Sequence, residues 1–166
     1  MTRFSDLVSY FRELATKHKS LAHSLMEKHF FRFEINEVLA GLNRTDVNYP
    51  MLILEGYNFN YTDNKSDNLL KNRHGAFILL DHIVDPSDYK DIHHKWDALE
   101  QIGDDLLNKI KADKSNPLTP VVRSFDFQNV EANLIMNEVG STVGIRYTFV
   151  LTCSVRTEII ESSWLQ

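Results

Sequence analysis

The feature that most constrains this chain is the alternation between Ile145 and Val155. Ile145, Tyr147, Phe149, Leu151, Cys153 and Val155 share one parity; Arg146, Thr148, Thr152 and Ser154 share the other, with Val150 breaking the polar set. Successive strand side chains face opposite sides, so the pattern predicts a strand with one buried and one wet face. Two more strands are expected just upstream. Val121, Arg123, Phe125 and Phe127 mark the first, and Val130, Ala132, Leu134 and Met136 the second. Glu138 to Thr142 makes the turn into the last, so 121–155 reads as three consecutive strands. Sheets of this kind serve as scaffolds or docking surfaces more often than as active sites.

Something apolar must cover that sheet, and the chain offers a long helix. Asp85-Pro86-Ser87-Asp88 opens a segment over about 88–112 in which Ile92, Trp96, Leu99, Ile102, Leu106 and Ile110 recur at helical spacing. Asp97, Glu100 and Asp104 fall mostly off that stripe, and the prolines at 117 and 120 end it. A second helical stripe, Leu7, Val8, Phe11, Leu14 and Ala15, lies near the N-terminus, with Ser5 or Asp6 as its cap. Residues 19–28 continue as helix or turn, with Leu21, Leu25 and Met26 available for packing. Between the two helices a strand is expected at His29–Phe33 and a short helix at Ile35–Leu42. Buried strands are expected at Met51–Leu54 and, centrally in the sheet, at Ala76–Val84. Tyr57, Phe59 and Tyr61 alternate with asparagines, which is strand spacing at a sheet edge or in the core, core packing being the default. Residues 62–68 form a polar loop.

These elements predict an α+β fold: a mostly antiparallel, curved sheet packed against one long helix, with an N-terminal helical extension. The expected division is a helical extension over 1–28, an α+β domain over 29–155 and a tail over 156–166.

Composition narrows the function classes. At 166 residues the chain suits one domain, with roughly 70% of its unfolded surface buried on folding. A net charge of −5 with scattered Lys and Arg argues against general nucleic-acid binding. The single cysteine, Cys153, excludes an internal disulfide and suits a reducing compartment. No apolar run approaches the ~18 residues of a membrane span, and the first residues lack a signal core. The expectation is a soluble protein made in the cytoplasm.

No catalytic or cofactor motif emerges. His18 and His23 are five apart, wrong for a helical ligand pair, and the adjacent His93 and His94 diverge. His82, near Asp81, Asp85 and Asp88, is the best carboxylate–imidazole cluster. Cys153 has no basic neighbour in sequence, and the glycines form no phosphate loop. No cofactor and no metal are expected. The apolar residues without an obvious place are more telling. Trp164 and Leu165 at the C-terminus either fold back or anchor in a neighbour, and Tyr57, Phe59 and Tyr61 suit strand addition. These five are the candidate subunit or partner interface.

Taken in order, His29–Phe33, Ile35–Leu42, Met51–Leu54, Ala76–Val84, the helix from Asp88 to Ala112 and the strands of Val121–Val155 form an arrangement. It resembles the small α+β domain of tail-terminator and tail-completion proteins of long-tailed phages and related contractile injection systems. The resemblance covers about residues 29–155, is topological, and carries over no functional residue. It implies a non-enzymatic structural protein that forms a hexameric ring at the tail end or head–tail junction and contacts tail-tube or head-connector proteins. Such a protein moves from the producing cell's cytoplasm into the particle, without sequence-specific nucleic-acid binding or membrane contact. Two rivals stand beside it: a cytosolic peptide-binding adaptor or chaperone-like module, and a small enzyme using His82 with Asp81 or Asp85.

Overall fold

The computed structural model describes residues 3–32, 47–63, 65, 69–137, 141–155 and 164. Helix α1 spans Phe4–Lys17. Strands β1 (Phe30–Arg32), β2 (Met51–Leu54), β3 (Asn58–Asp63) and β4 (Leu69–His82) follow. Helix α2 (Tyr89–Lys114) leads through a 3-10 turn at Pro120–Val122 into β5 (Phe125–Asn137) and β6 (Thr142–Ser154). The described strands form one sheet in the order β1-β2-β4-β6-β5. Fourteen-residue β4 also carries β3 beside its first half, while β2 pairs with its second half. The sheet is mixed: β1 runs parallel to β2, and every other pairing is antiparallel.

Sheet and helices meet as the patterns require. Ile145, Tyr147, Phe149 and Leu151 are buried, while Arg146, Thr148, Val150 and Thr152 on the other face are only partly covered. Phe77 stacks on Tyr147 at 4.8 Å between ring centres and meets Phe11 of α1 at 5.4 Å. The α2 stripe of Ile92, Leu99, Ile102, Leu106 and Ile110 is buried as spaced, and Trp96 is half-buried. Asp88 caps α2, its carboxylate accepting the backbone N–H groups of Lys90 and Asp91. Leu7, Val8, Tyr10, Phe11, Leu14 and Ala15 put α1 in the same apolar cluster as α2 and the sheet, so this helix is a wall of the core. Among the described residues no helix is long and apolar enough to cross a membrane.

Several expectations need correction. The stretch 121–155 holds two long strands rather than three: Pro120 starts a 3-10 turn over 120–122, having no N–H to give a ladder. The segments over 125–127 and 130–136 join into one strand, with a register shift between Asp126 and Glu131. Helix α1 begins at Phe4, with Arg3 rather than Ser5 or Asp6 at the cap; the Asp6 carboxylate accepts the Arg3 N–H at 2.9 Å. Leu21 is buried, but Leu25 and Met26 are exposed in a turn that reverses the chain towards β1. Strand β4 starts at Leu69, well before Ala76, and ends before Val84, which is exposed. The expected helix at Ile35–Leu42 lies outside the described residues.

Candidate assembly interface

Strand β3 occupies a distinctive place. It hydrogen-bonds to β4 on one side, and all six of its residues are exposed. Its register sets Phe59 opposite Arg73 and Tyr61 opposite Lys71, and those in turn lie opposite Leu151 and Cys153 of β6. Directly opposed residues share a face, so Phe59 and Tyr61 project on the helix-covered side of the sheet. The helices do not reach them: Phe59 is 50% exposed and Tyr61 52%. Core packing of the aromatic ladder, the default reading of the sequence, is therefore wrong for these two.

The exposed rings form a small built surface. Phe59 and Tyr61 meet edge to face at 5.8 Å. The Lys71 ammonium sits 3.6 Å from the centre of Phe59 and 5.4 Å from that of Tyr61, a cation–π arrangement. Tyr57 stands apart from this pair. It is half-buried against the main core, with Phe4 edge-on at 5.4 Å and the Arg73 guanidinium at 5.6 Å. Trp164 is exposed, and Leu165 lies outside the described residues.

Behind the aromatics the other face is polar. The Asn72 amide donates to the Asn60 side-chain oxygen at 3.3 Å and the Thr62 hydroxyl oxygen at 3.0 Å, and the Thr152 hydroxyl donates to Asn72 at 2.9 Å. This ladder ties β3, β4 and β6 together without apolar cover. Beyond it a trough of 590 Å³ is lined by Glu55, Asn58, His74, Glu131, Arg146 and Thr148, among others. Arg146 clamps Glu55 there with two hydrogen bonds, at 2.6 and 3.1 Å.

A second edge went unnoticed in the sequence. Strand β5 pairs with β6 alone among the described strands, and its 131–134 stretch is exposed. Leu134 lies opposite Ile145 and Met136 opposite Val143, so both face the helix side, yet they are 58% and 41% exposed. Their alternation signalled a strand face correctly; it held no information on whether a helix would lie above.

The His82 cluster is dispersed. Asp81 pairs with Lys95 at 3.1 Å, the Asp85 carboxylate accepts from the Ser87 hydroxyl and N–H, and Asp88 is spent on capping α2. The His82 ring lies against Tyr49 at 5.7 Å. No convergent acid–base group results. The cleft between α1 and α2, 350 Å³, is richer in charge but internally paired. Asp113, buried, accepts from the Tyr10 hydroxyl at 2.9 Å and from Lys109 at 2.6 Å; His18 faces Asp105, and Lys17 faces Glu13. Burial, then the Asp113 carboxylate, drives the Tyr10 hydroxyl pKa well above its ordinary value.

The structure also supplies what the sequence denied Cys153, a cation. Arg73, 3% exposed, donates to the Cys153 Sγ at 3.3 Å, and its buried Nε has no hydrogen-bond partner among the described residues. Adjacent strands bring together residues 80 positions apart in the chain.

No family model matches the sequence, and no curated protein is significantly similar to it.

Proposed function

We propose that this protein is a structural assembly subunit that forms a homo-oligomeric ring at the tail end or head–tail junction of a phage or phage-like particle. The observation that carries the reading is a sheet with two exposed edges of unlike chemistry: aromatic and cationic at β3, aliphatic at β5. Rings require heterologous contact, in which one surface of each copy meets a different surface of the next. Isolated globular domains normally blunt such edges with prolines, charges or bulges. Strand β3 carries no proline, and its one charge is the terminal Asp63. The topological resemblance to tail terminators points the same way and suggests a hexamer, with tail-tube and head-connector proteins as partners.

Light scattering across a concentration series tests the reading. The expected result is a hexameric mass, or a mass that climbs towards one. A concentration-independent monomer overturns self-assembly. The exposed β3 edge also favours a second reading, an adaptor that captures an extended peptide as an added strand. That reading predicts a monomer or a two-fold dimer whose melting temperature rises when peptide is present.

A further inference from the structure

Resting on the ring reading, we infer that the outer edge of β3 in one copy pairs in antiparallel sense with the outer edge of β5 in the next, so that the sheet runs on from subunit to subunit. Direction follows from the ladder within one chain. Strand β3 is antiparallel to β4, β4 to β6 and β6 to β5, so β3 and β5 run in opposite directions on opposite sides of the β4–β6 pair. A neighbour continuing the same sheet therefore presents its β5 antiparallel to β3, displaced along the strands because the β3 aromatics lie level with Leu151 and Cys153 and the β5 aliphatics with Ile145 and Val143.

Side-chain placement agrees with that direction. In a continuous sheet each face stays on its own side of every strand. Phe59 and Tyr61 project on the helix side at one edge, and Leu134 and Met136 project on the same side at the other. Pairing the edges sets the two half-exposed aromatics beside the two half-exposed aliphatics and covers both sets. In that register Thr62 would meet Asn133 on the opposite face, polar against polar, and Asn60 would lie beside the half-buried Ile135. A slip of one residue would set Tyr61 against Asn133 and Phe59 against Ile135, residues of the opposite face, so the patterning selects the register parity. Two-fold pairing of β3 with another β3 would satisfy one edge only and leave Leu134 and Met136 uncovered.

Helices α1 and α2 would then lie on one side of the closed sheet, and the Asn–Thr ladder and the Glu55–Arg146 trough would lie on the other. The second copy is thus the occupant of each edge, and its contribution is a strand.

Chains carrying Cys153→Ser and a single new cysteine test the pairing, one with Thr62→Cys and one with Asn133→Cys. Both positions are exposed on the polar face. The two chains are mixed, weighed by light scattering and treated with a short bis-maleimide. A covalent dimer in the mixture, with none from either chain alone, is expected. A dimer from the Thr62→Cys chain alone would overturn the proposal in favour of two-fold β3 pairing. An oligomer that gives no cross-link in the mixture would overturn the β3–β5 contact and leave the ring reading standing. A monomer at every concentration removes both. As an independent check, Phe59→Lys and Leu134→Lys should each lower the mass to that of a monomer with the unfolding midpoint little changed. Loss of assembly in the first alone would contradict a heterologous contact.

Discussion

Phe77 and Phe59 project from the same face of one sheet, yet Phe77 is fully buried and Phe59 is half exposed. Phe77 sits on the half of β4 that pairs with β2, under Phe11 of α1 and beside Tyr147. Phe59 sits beside the other half, where its close partners are Tyr61 and Lys71. Both residues satisfy strand preference equally well; the difference lies in the layer above. Beside β2 this face is core, while at β3 it is a surface built from the same kinds of residue. Aromatic alternation therefore reports strand geometry, while burial reports where a helix crosses.

Truncation should separate these halves most sharply. Phe77→Ala removes a fully buried ring from the main cluster and is expected to cost about 3–5 kcal/mol, read from the chemical denaturation midpoint. Phe59→Ala should cost about 1 kcal/mol or less, since the site is already half hydrated, but should lower the assembled mass. Equal losses of stability from the two variants would erase the distinction between the covered and the exposed part of this face.

Gly103 on α2 probes the same core from the helix side. A Cβ there would clash with the Tyr147 hydroxyl oxygen and with the ring carbon that bears it. Tyr147 cannot yield freely because its ring stacks on Phe77. Gly103→Ala should therefore destabilise by about 1–3 kcal/mol, although alanine is the better helix former. The tight site also accounts for the Tyr147 hydroxyl, whose pKa is pushed up to about 12 by burial and then by Asp104 and Glu100. A stabilised Gly103→Ala chain would show the helix to be looser on the sheet than this contact implies.

In the cleft between the helices, Tyr10→Phe removes the hydroxyl that donates to buried Asp113 while leaving Lys109 in place. A loss of about 1–2 kcal/mol is expected by thermal unfolding, with assembly unchanged. Altered assembly would move the interface towards this cleft.

The smallest effect concerns acid. His23 is held below its ordinary pKa by burial first and by Arg12 and His29 after it, and its Nδ1 accepts the His29 N–H at 3.2 Å. The unfolded chain then binds the proton more readily than the folded one. Stability from this group is full above the unfolded pKa of about 6.5 and falls as pH drops from there to the lowered folded value. His23→Gln should flatten the slope of stability against pH over that window; an unchanged slope would assign the acid sensitivity elsewhere.

Local elements were legible where period and punctuation agreed. The α2 stripe, its Asp88 start, the apolar run of β2 and the parity of β6 all followed from spacing, because backbone geometry fixes side-chain direction residue by residue. The candidate interface was half legible: Tyr57, Phe59 and Tyr61 stood out as a ladder, but Leu134 and Met136 looked like an ordinary buried strand face. The strand that pattern alone started at Val121 begins only at Phe125, because Pro120–Val122 first form a 3-10 turn.

By itself, then, the sequence determined the α2 stripe, the apolar run of β2 and which residues of β6 share a face, but not where β4 and β5 begin. Only the tertiary structure decided that β1 runs parallel to β2, that β3 and β2 share one side of β4, and that Arg73 meets Cys153. It also decided which faces the helices leave open. These are outcomes of long-range pairing and of how far a helix reaches across a sheet. Local spacing carries no signal for either, because the cost and reward of such contacts arise only when distant segments meet.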